Sequence, residues 1–358
     1  MRVLAALSGG VDSSVAAAIL LDEGHEVVAA TMKLWGGESD TGCCSVSDVE
    51  DARRSAAQLG MDHHVFNYTD EFEHHVVAPY VADHAAGRTP NPCVECNRHL
   101  KFDVLLQRAD LLGFDAVATG HHARVVRVED GSLRIGRGAD TTKDQSYVLH
   151  PLIGESLARV MFPIGHLTKG RVREIAAERG LRTAAKPDSQ DVCFITRADG
   201  RESFLAERIE LHPGTVVDSE GSRVGSVTAV ELVTVGQRRG LNLAGGDDRR
   251  FATRVDVANR TVTVGPREDL NTEVLELEAV ATAVSLGAGA EVMVQTSAHG
   301  SARPASVTHW DPSRSQLGLR WAEPTTRVAE GQSVVLYGAH GDDVDLVLAG
   351  GLATGGSV

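Results

Sequence analysis

Two groups of residues in this chain have the types and spacing to do chemistry. The first is Ser8-Gly9-Gly10-Val11-Asp12-Ser13-Ser14, set between the apolar run Val3–Leu7 and the alanine-rich stretch Val15–Leu21. Paired glycines let a backbone approach a ligand closely, and serine hydroxyls at a helix N-terminus offer donors to an anion. A capped strand-to-helix turn would use the same residue types. The full string, with a strand before it and a helix after it, predicts phosphate binding. It is no Walker A loop, because no Gly-Lys-Ser or Gly-Lys-Thr follows. The second group is sulfur: Cys93-Val94-Glu95-Cys96 and, far downstream, Ser189-Gln190-Asp191-Val192-Cys193-Phe194. A thiolate serves as nucleophile or metal ligand, whereas a lone intracellular cysteine is ordinarily a small buried hydrophobe.

The elements that must hold these residues follow from patterning. Val3–Leu7, Glu26–Met32, Val65–Tyr68 and Ala116–Thr119 read as short strands. Val15–Leu21, Val49–Leu59, Phe102–Leu112 and Arg171–Arg179 read as helices, the second with an apolar face at Val49, Ala52, Ala56 and Leu59. Glycines 24, 60 and 180 close three of them. Strands alternating with helices predict an α/β fold with a doubly wound parallel sheet. After about residue 205 the texture changes to short period-2 runs rich in Val and Thr, with Asn259-Arg260 and Gly341-Asp342 as turn candidates. The expected division is an N-terminal α/β domain over 1–204, a small β-rich domain over 205–272, and a C-terminal β-barrel over 273–358.

Length and charge bound the function. At 358 residues, the chain suggests two or three domains at ~150 residues each. No stretch approaches the ~18 apolar residues of a membrane span, and the first apolar run is too short for a secretory signal core. The five cysteines, 43, 44, 93, 96 and 193, cluster in one half instead of spreading as a disulfide scaffold would. A cytoplasmic protein without a membrane partner is the expectation. Net charge is −14, which argues against a protein that coats nucleic acid indiscriminately. Yet residues 86–210 carry 19 basic and 17 acidic side chains, whereas residues 1–85 carry 4 and 14. That middle permits selective binding of a polyanion.

The Ser8–Ser13 string resembles the fingerprint of the PP-loop ATP pyrophosphatases, which cleave ATP between the α and β phosphates and adenylate a substrate oxygen. A loop and helix dipole that hold pyrophosphate stabilise that leaving group. Further strings narrow the likeness: Asn91-Pro92-Cys93-Val94-Glu95-Cys96-Asn97, Gly120-His121-His122-Ala123-Arg124, Lys143-Asp144-Gln145-Ser146-Tyr147, the Cys193 segment, and the late Gly331–Tyr337 and Gly350-Gly351. Together, and in order along the whole chain, they resemble the tRNA-uridine 2-sulfurtransferases, or tRNA-specific 2-thiouridylases.

The resemblance implies a PP-loop, adenine nucleotide alpha hydrolase-like first domain and ATP-dependent 2-thiolation of the wobble uridine of tRNAs for Lys, Glu and Gln. Cys193 would carry a persulfide and Cys96 would act as the nucleophile that resolves it, leaving a Cys96–Cys193 disulfide. Ala6, Leu7, Ser8, Gly9, Gly10, Val11, Asp12, Ser13, Met32 and Gly120 would hold ATP, with magnesium. Asn91, Pro92, Cys93 and His121 would line the base pocket, and Lys143, Asp144, Gln145 and Gln332 would contact tRNA. A cysteine desulfurase or sulfur relay protein would donate sulfur.

Two departures stand out. Cys93 occupies the place of an Asp that many members carry, and Ser297-Ala298 stand where an Arg-Tyr pair often contacts tRNA. Cys43-Cys44 read as structural, and no His-Glu-x-x-His or Cys/His quartet announces zinc. Arg238-Arg239 and Arg249-Arg250 suit either tRNA phosphates or solvated turns. Two alternatives remain at this stage. One is another PP-loop adenylating ligase. The other is an iron–sulfur-dependent thiolase with Cys93, Cys96 and Cys193 as cluster ligands.

Overall fold

The computed structural model describes residues 1–35, 46–188, 192–195, 200–244, 249–340 and 344–355. The chain forms two compact units. One comprises Met1–Val77, Pro92–Ala198 and Gly338–Leu348; the other comprises Ala78–Asn91, Asp199–Tyr337 and Ala349–Val358.

The first unit is built on β1 (Arg2–Ala6), β2 (Glu26–Lys33), β3 (His63–Asn67), β4 (Ala116–Ala118) and β7 (Val160–Met161), with the hairpin β5 (Ala123–Arg127) and β6 (Leu133–Arg137) between the last two in sequence. The five-stranded sheet has the order β3-β2-β1-β4-β7, and every pairing in it is parallel. The central strands β1, β2 and β4 are apolar almost throughout, as strands covered on both faces must be, whereas the edge strand β3 is polar and has no buried position. On one side Val3, Ala5 and Leu7 pack with Ala17, Leu20, Ala52 and Ala56. A separate cluster joins Val11, Val15 and Ala16 to Ile164, Val172 and Ala176. The alanine run of α1 (Val11–Asp22) is buried on most of its circumference, and side chains that small let a helix lie close against its neighbours. Strand order reverses at β1, between β2 and β4. Ligands of open α/β sheets bind at the carboxyl ends of strands flanking such a point, and Ser8–Asp12 and Gly120 both lie there.

Two helical segments differ from expectation. The helix foreseen over 102–112 begins at Pro92 and passes through wide π-type turns over Cys96–Val104 before ending as Leu105–Leu111. A helical stretch not foreseen runs from Thr69 to Ala85, with similar wide turns over Glu73–Val77. Extra residues per turn shift the phase of the apolar face, so a search at period 3.6 loses it.

In the second unit, β8 (Gly214–Val217), β9 (Arg223–Val227), β10 (Phe251–Asp256) and β11 (Thr261–Gly265) form a sheet of order β10-β11-β8-β9 around Val216, Val227, Val230, Val262 and Val264. Arg260 turns the β10–β11 hairpin at φ 50°, in the predicted Asn259-Arg260 turn. Then come β12 (Asn271–Thr282), β13 (Glu291–Gln295), β14 (Arg303–Asp311), β15 (Gln316–Thr326), β16 (Ser333–His340) and β17 (Val344–Ala353). They run in the order β12-β15-β14-β13-β16-β17, and pairing of β12 with β17, Leu277 opposite Ala353, closes the barrel. The Gly341-Asp342 turn candidate and Cys43-Cys44 lie outside the described residues. Among the described residues no helix is long and apolar enough to cross a membrane.

Candidate active site

The loop after β1 is pinned from inside. Leu7 donates its amide to Ala30 O at 2.8 Å, and Thr31 Oγ1 donates to Leu7 O at 2.9 Å. The Ser8 amide donates to Ser13 Oγ at 3.2 Å, while Ser13 and Ser14 hydroxyls donate to Gly10 O at 3.2 and 2.9 Å. Gly9 takes φ +71°, and a Cβ there would strike the Asp48 carbonyl. The helix α1 opens at Val11 with no side-chain cap. An uncapped first turn directs backbone donors and the positive dipole end toward whatever the loop surrounds. Gly120 closes the cradle: a Cβ on it would sit 2.5 Å from the Ser13 amide nitrogen. Met32, near the end of β2, is buried and stands in register with Phe66 of β3. These features suit an anionic phosphate group.

Asp12 is the electrostatic centre. Lys169 Nζ donates to both of its oxygens at 2.8 and 2.7 Å, and His122 Nε2 donates to Oδ1 at 3.3 Å. Burial pushes the Asp12 carboxyl up, but the hydrogen bonds from His122 and Lys169 outweigh it and hold the group below its ordinary range. Lys169 also reaches Asp188 Oδ1 at 2.9 Å; Lys143 and Arg173 meet the same carboxylate at 2.7 and 2.8 Å. Burial opposes ionisation of Asp188 too, yet Lys143 and Lys169 depress it strongly.

Lys169, Asp188 and His122 were not singled out from sequence. Lys169 carried one faint signal: it occupies the first turn of its helix, Lys169–Glu178, where the dipole disfavours a cation. His122 lay inside the Gly120–Arg124 string unassigned.

The sulfur residues share this unit. Cys96 is buried at the start of the wide turns, while Cys93 and Cys193 are half-buried. Asn97 Nδ2 donates to Cys93 O at 2.9 Å and fixes that turn. Phe194, next to Cys193, packs on Trp35 and Phe72 with ring centroids 6.2 and 5.6 Å away. The short helix ending at Phe72 touches the helix that begins at Cys96. Among the described residues no group of three or more His, Cys, Asp or Glu side chains is placed to hold a metal.

Several residues expected to face RNA are engaged within the protein. His121 is buried between Phe102 and Phe162, with Nδ1 2.7 Å from Thr119 Oγ1; burial drives its imidazole far below the ordinary range, so it is neutral. Asp144 accepts from the amides of Gly138 and Ser146, from Ser146 Oγ and from Arg137 at 2.8 Å. Gln145 and His122 exchange bonds: Gln145 Oε1 accepts from the His122 amide and the Gln145 amide donates to His122 O, both at 2.9 Å. In the second unit, Gln332 Nε2 donates to Thr89 O at 2.6 Å, just before Asn91 and the buried Pro92.

Comparison with known proteins places this geometry. A model described as "tRNA methyl transferase HUP domain" matches residues 1–197, and one described as "tRNA methyl transferase PRC-barrel domain" matches residues 202–266. A tRNA-specific 2-thiouridylase MnmA of Beutenbergia cavernae is 47% identical, covering 94% of this chain and 92% of its own length. The chain belongs to the tRNA-specific 2-thiouridylase family. Relatives of that name from Rhodococcus erythropolis and a Roseiflexus species are 45% and 41% identical, over 99% and 98% of this chain and 98% of each relative. The family's members are enzymes, and the Ser8–Ser14 loop, Gly120 and the two cysteine segments of this member all sit in the portion matched by the HUP-domain model. A solved 4-thiouridine synthetase–RNA complex with bound ATP aligns over 54% of this chain and 44% of its own at 22% identity and a TM-score of 0.36, a likeness too slight to weigh.

Proposed function

We propose that this protein uses ATP to replace the C2 oxygen of the wobble uridine with sulfur in tRNAs for Lys, Glu and Gln. One observation carries the reading. A loop opening an uncapped helix at the strand-order reversal shares a compact unit with two cysteines, Cys96 buried at the start of a helical segment and Cys193 half-buried. An amide-like carbonyl oxygen is a poor leaving group, so it must be activated before sulfur arrives. Attack of uridine O2 on the α phosphorus of ATP expels pyrophosphate and leaves an O-adenylate.

The terminal sulfur of a persulfide on Cys193 then attacks C2, and AMP departs with the old oxygen. The Cys96 thiolate attacks the Cys193 sulfur, releasing 2-thiouridine and forming the Cys96–Cys193 disulfide, which an external thiol reduces. A cytoplasmic persulfide donor reloads Cys193.

The chain's own groups have defined tasks. Ser8–Ser13 and the first turn of α1 hold the pyrophosphate end of ATP, and Gly120 permits close approach. Magnesium bound with ATP would neutralise phosphate charge, and the ionised Asp12 is the carboxylate suited to meet it. The neutral His121, walled by Phe102 and Phe162, supports an apolar boundary for an extruded base. Pro92 and Cys93 line that pocket with Asn91. Gln332 acts on RNA through the Thr89–Asn91 backbone it holds. Asp144 and Gln145 shape the loop that carries Lys143. Within this reading 273–358 is the tRNA-contacting barrel, 205–272 the domain before it, and 1–204 the catalytic domain.

Product analysis tests the nucleotide step. With ATP, magnesium, a persulfide source and unmodified tRNA, turnover gives AMP and pyrophosphate. ADP as the stoichiometric product overturns the assignment of the loop.

A further inference from the structure

An ionised carboxylate offers about four lone-pair sites, two on each oxygen. Bonds from the described residues fill three of those on Asp12. Lys169 Nζ donates to Oδ1 at 2.8 Å and to Oδ2 at 2.7 Å, and His122 Nε2 adds a bond to Oδ1 at 3.3 Å. The fourth site lies on Oδ2, and a side chain 30% exposed can present it to a ligand. With Lys169 alone, one site would stay open on each oxygen. The ammonium, on a flexible four-carbon stem, would also follow the carboxylate as it turned. His122 closes the Oδ1 site and fixes the carboxylate plane.

The imidazole is held to that task. Its side chain is 4% exposed, and Nδ1 is buried with no hydrogen-bond partner among the described residues. A buried polar atom without a partner is destabilising, so the orientation of the ring serves Nε2 and its bond to Asp12. The main chain behind the ring is fixed at both polar groups. The His122 amide donates to Gln145 Oε1, and its carbonyl accepts from the Gln145 amide, each at 2.9 Å. A Cβ on Gly138 would lie 2.5 Å from the same carbonyl oxygen. Two residues before His122, Gly120 is in backbone contact with Asp12 and Ser13. Imidazole and carboxylate thus ride on segments that touch each other directly.

Resting on the reading of Ser8–Ser13 as a nucleotide loop, we propose that His122, braced by Gln145, is a positioning residue that reserves Asp12 Oδ2 for the magnesium carried by ATP. Magnesium is held in such sites through one or two carboxylates together with substrate phosphates, and it demands near-ideal octahedral geometry. A carboxylate free to turn meets that demand only part of the time. One fixed from two directions, by Lys169 and by His122, is ready before the nucleotide arrives. Gln145, expected to contact RNA, serves the nucleotide site by holding His122.

The test uses the full chain without tRNA and the non-cleavable α,β-methylene analogue of ATP. Calorimetry gives the affinity with and without magnesium, and the ratio of the two is the magnesium gain. A residue that merely supports the loop changes both affinities alike and leaves this ratio unmoved. His122→Leu lowers the gain about tenfold, the scale of one hydrogen bond to a charged group. His122→Gln, whose side-chain amide nitrogen can donate to Asp12, regains most of it. Gln145→Met, which removes the acceptor for the His122 amide, lowers the gain about threefold. Gln145→Glu, which keeps that acceptor, restores it. A wild-type gain in folded His122→Leu, or no recovery in His122→Gln, overturns the assignment. If His122→Leu fails to fold, Gln145→Met decides, and a wild-type gain there overturns the assignment equally. Binding of the analogue to the wild type with no magnesium gain overturns this assignment alone. Failure of the analogue to bind the folded wild type in magnesium overturns the proposed function with it.

Discussion

A Cβ on Gly120 would lie 2.5 Å from the amide nitrogen of Ser13 and 2.6 Å from the carbonyl carbon of Asp12. The strand end at Ala118 and the first turn of α1 are therefore in backbone contact across the point where strand order reverses. Gly120→Ala forces them apart at the Ser8–Ser13 loop. Overpacking of this kind costs about 1–3 kcal/mol, and here the strain falls on the backbone of the Ser8–Ser13 loop. The expected outcome is a lower melting temperature with ATP affinity reduced at least tenfold, read by thermal melts and calorimetry. Unchanged ATP affinity would show that this contact is not part of the nucleotide site.

Asp12 joins the loop after β1 to Lys169 and His122. Asp12→Ala should abolish AMP formation and leave tRNA affinity within about twofold, because surface electrostatics change by a single charge. Filter binding beside an AMP assay separates the two. Parallel loss of RNA binding would place Asp12 at the RNA site instead.

Acid sensitivity should begin with histidines before carboxylates. Burial, reinforced by Arg98, pushes His150 down to about 3, and burial with Arg201 pushes His84 down to about 4. His121 is depressed in the same direction. Unfolded histidines bind protons near pH 6.5 while these folded ones do not, so stability rises with pH across that interval and is lost as pH falls from about 6.5 toward 4. Each contributes up to ~1.4 kcal/mol per pH unit inside its window. Asp12 and Asp188, lowered in the fold, add their loss only below about 4. Urea melts at pH 7.5, 6 and 5 should show the decline, and His150→Leu should flatten it. An identical slope in the variant would mean His150 is protonated in the fold.

Cys93 and Cys96 sit in one turn, but Cys96 is buried at the start of the wide helical turns and Cys93 is half-buried with its carbonyl held by Asn97. Cys93→Asp should retain substantial thiolation, while Cys96→Ser and Cys193→Ser each end multiple turnover. A dead Cys93→Asp beside an active Cys96→Ser would mean the two thiols have exchanged roles.

Much of this was legible in order along the chain. The apolar runs at 3–7, 26–32 and 116–119 and the alanine helix between the first two dictate a buried parallel sheet. The Ser-Gly-Gly string can sit only at the strand-to-helix corner. Valine and threonine alternation marked most barrel strands, though Gly214–Val217 and the β5–β6 hairpin escaped because each is short and broken by glycine or arginine. What could not be read was pairing across distance. Lys169 meets Asp12 from 157 positions away, and Gln332 meets Thr89 from 243. A lysine or glutamine has no local pattern that names such a partner. The wide turns at Glu73–Val77 and Cys96–Val104 hid for a different reason: they break the period by which helices are recognised.

The most direct test of the central claim is mass spectrometry of nucleosides from unmodified tRNA incubated with the full chain, ATP, magnesium and a persulfide source, with AMP counted in the same reaction. The account predicts 2-thiouridine at the wobble position in step with AMP, one for one, and none with Cys193→Ser. AMP without thiouridine, or thiouridine formed by Cys193→Ser at the wild-type rate, would contradict it.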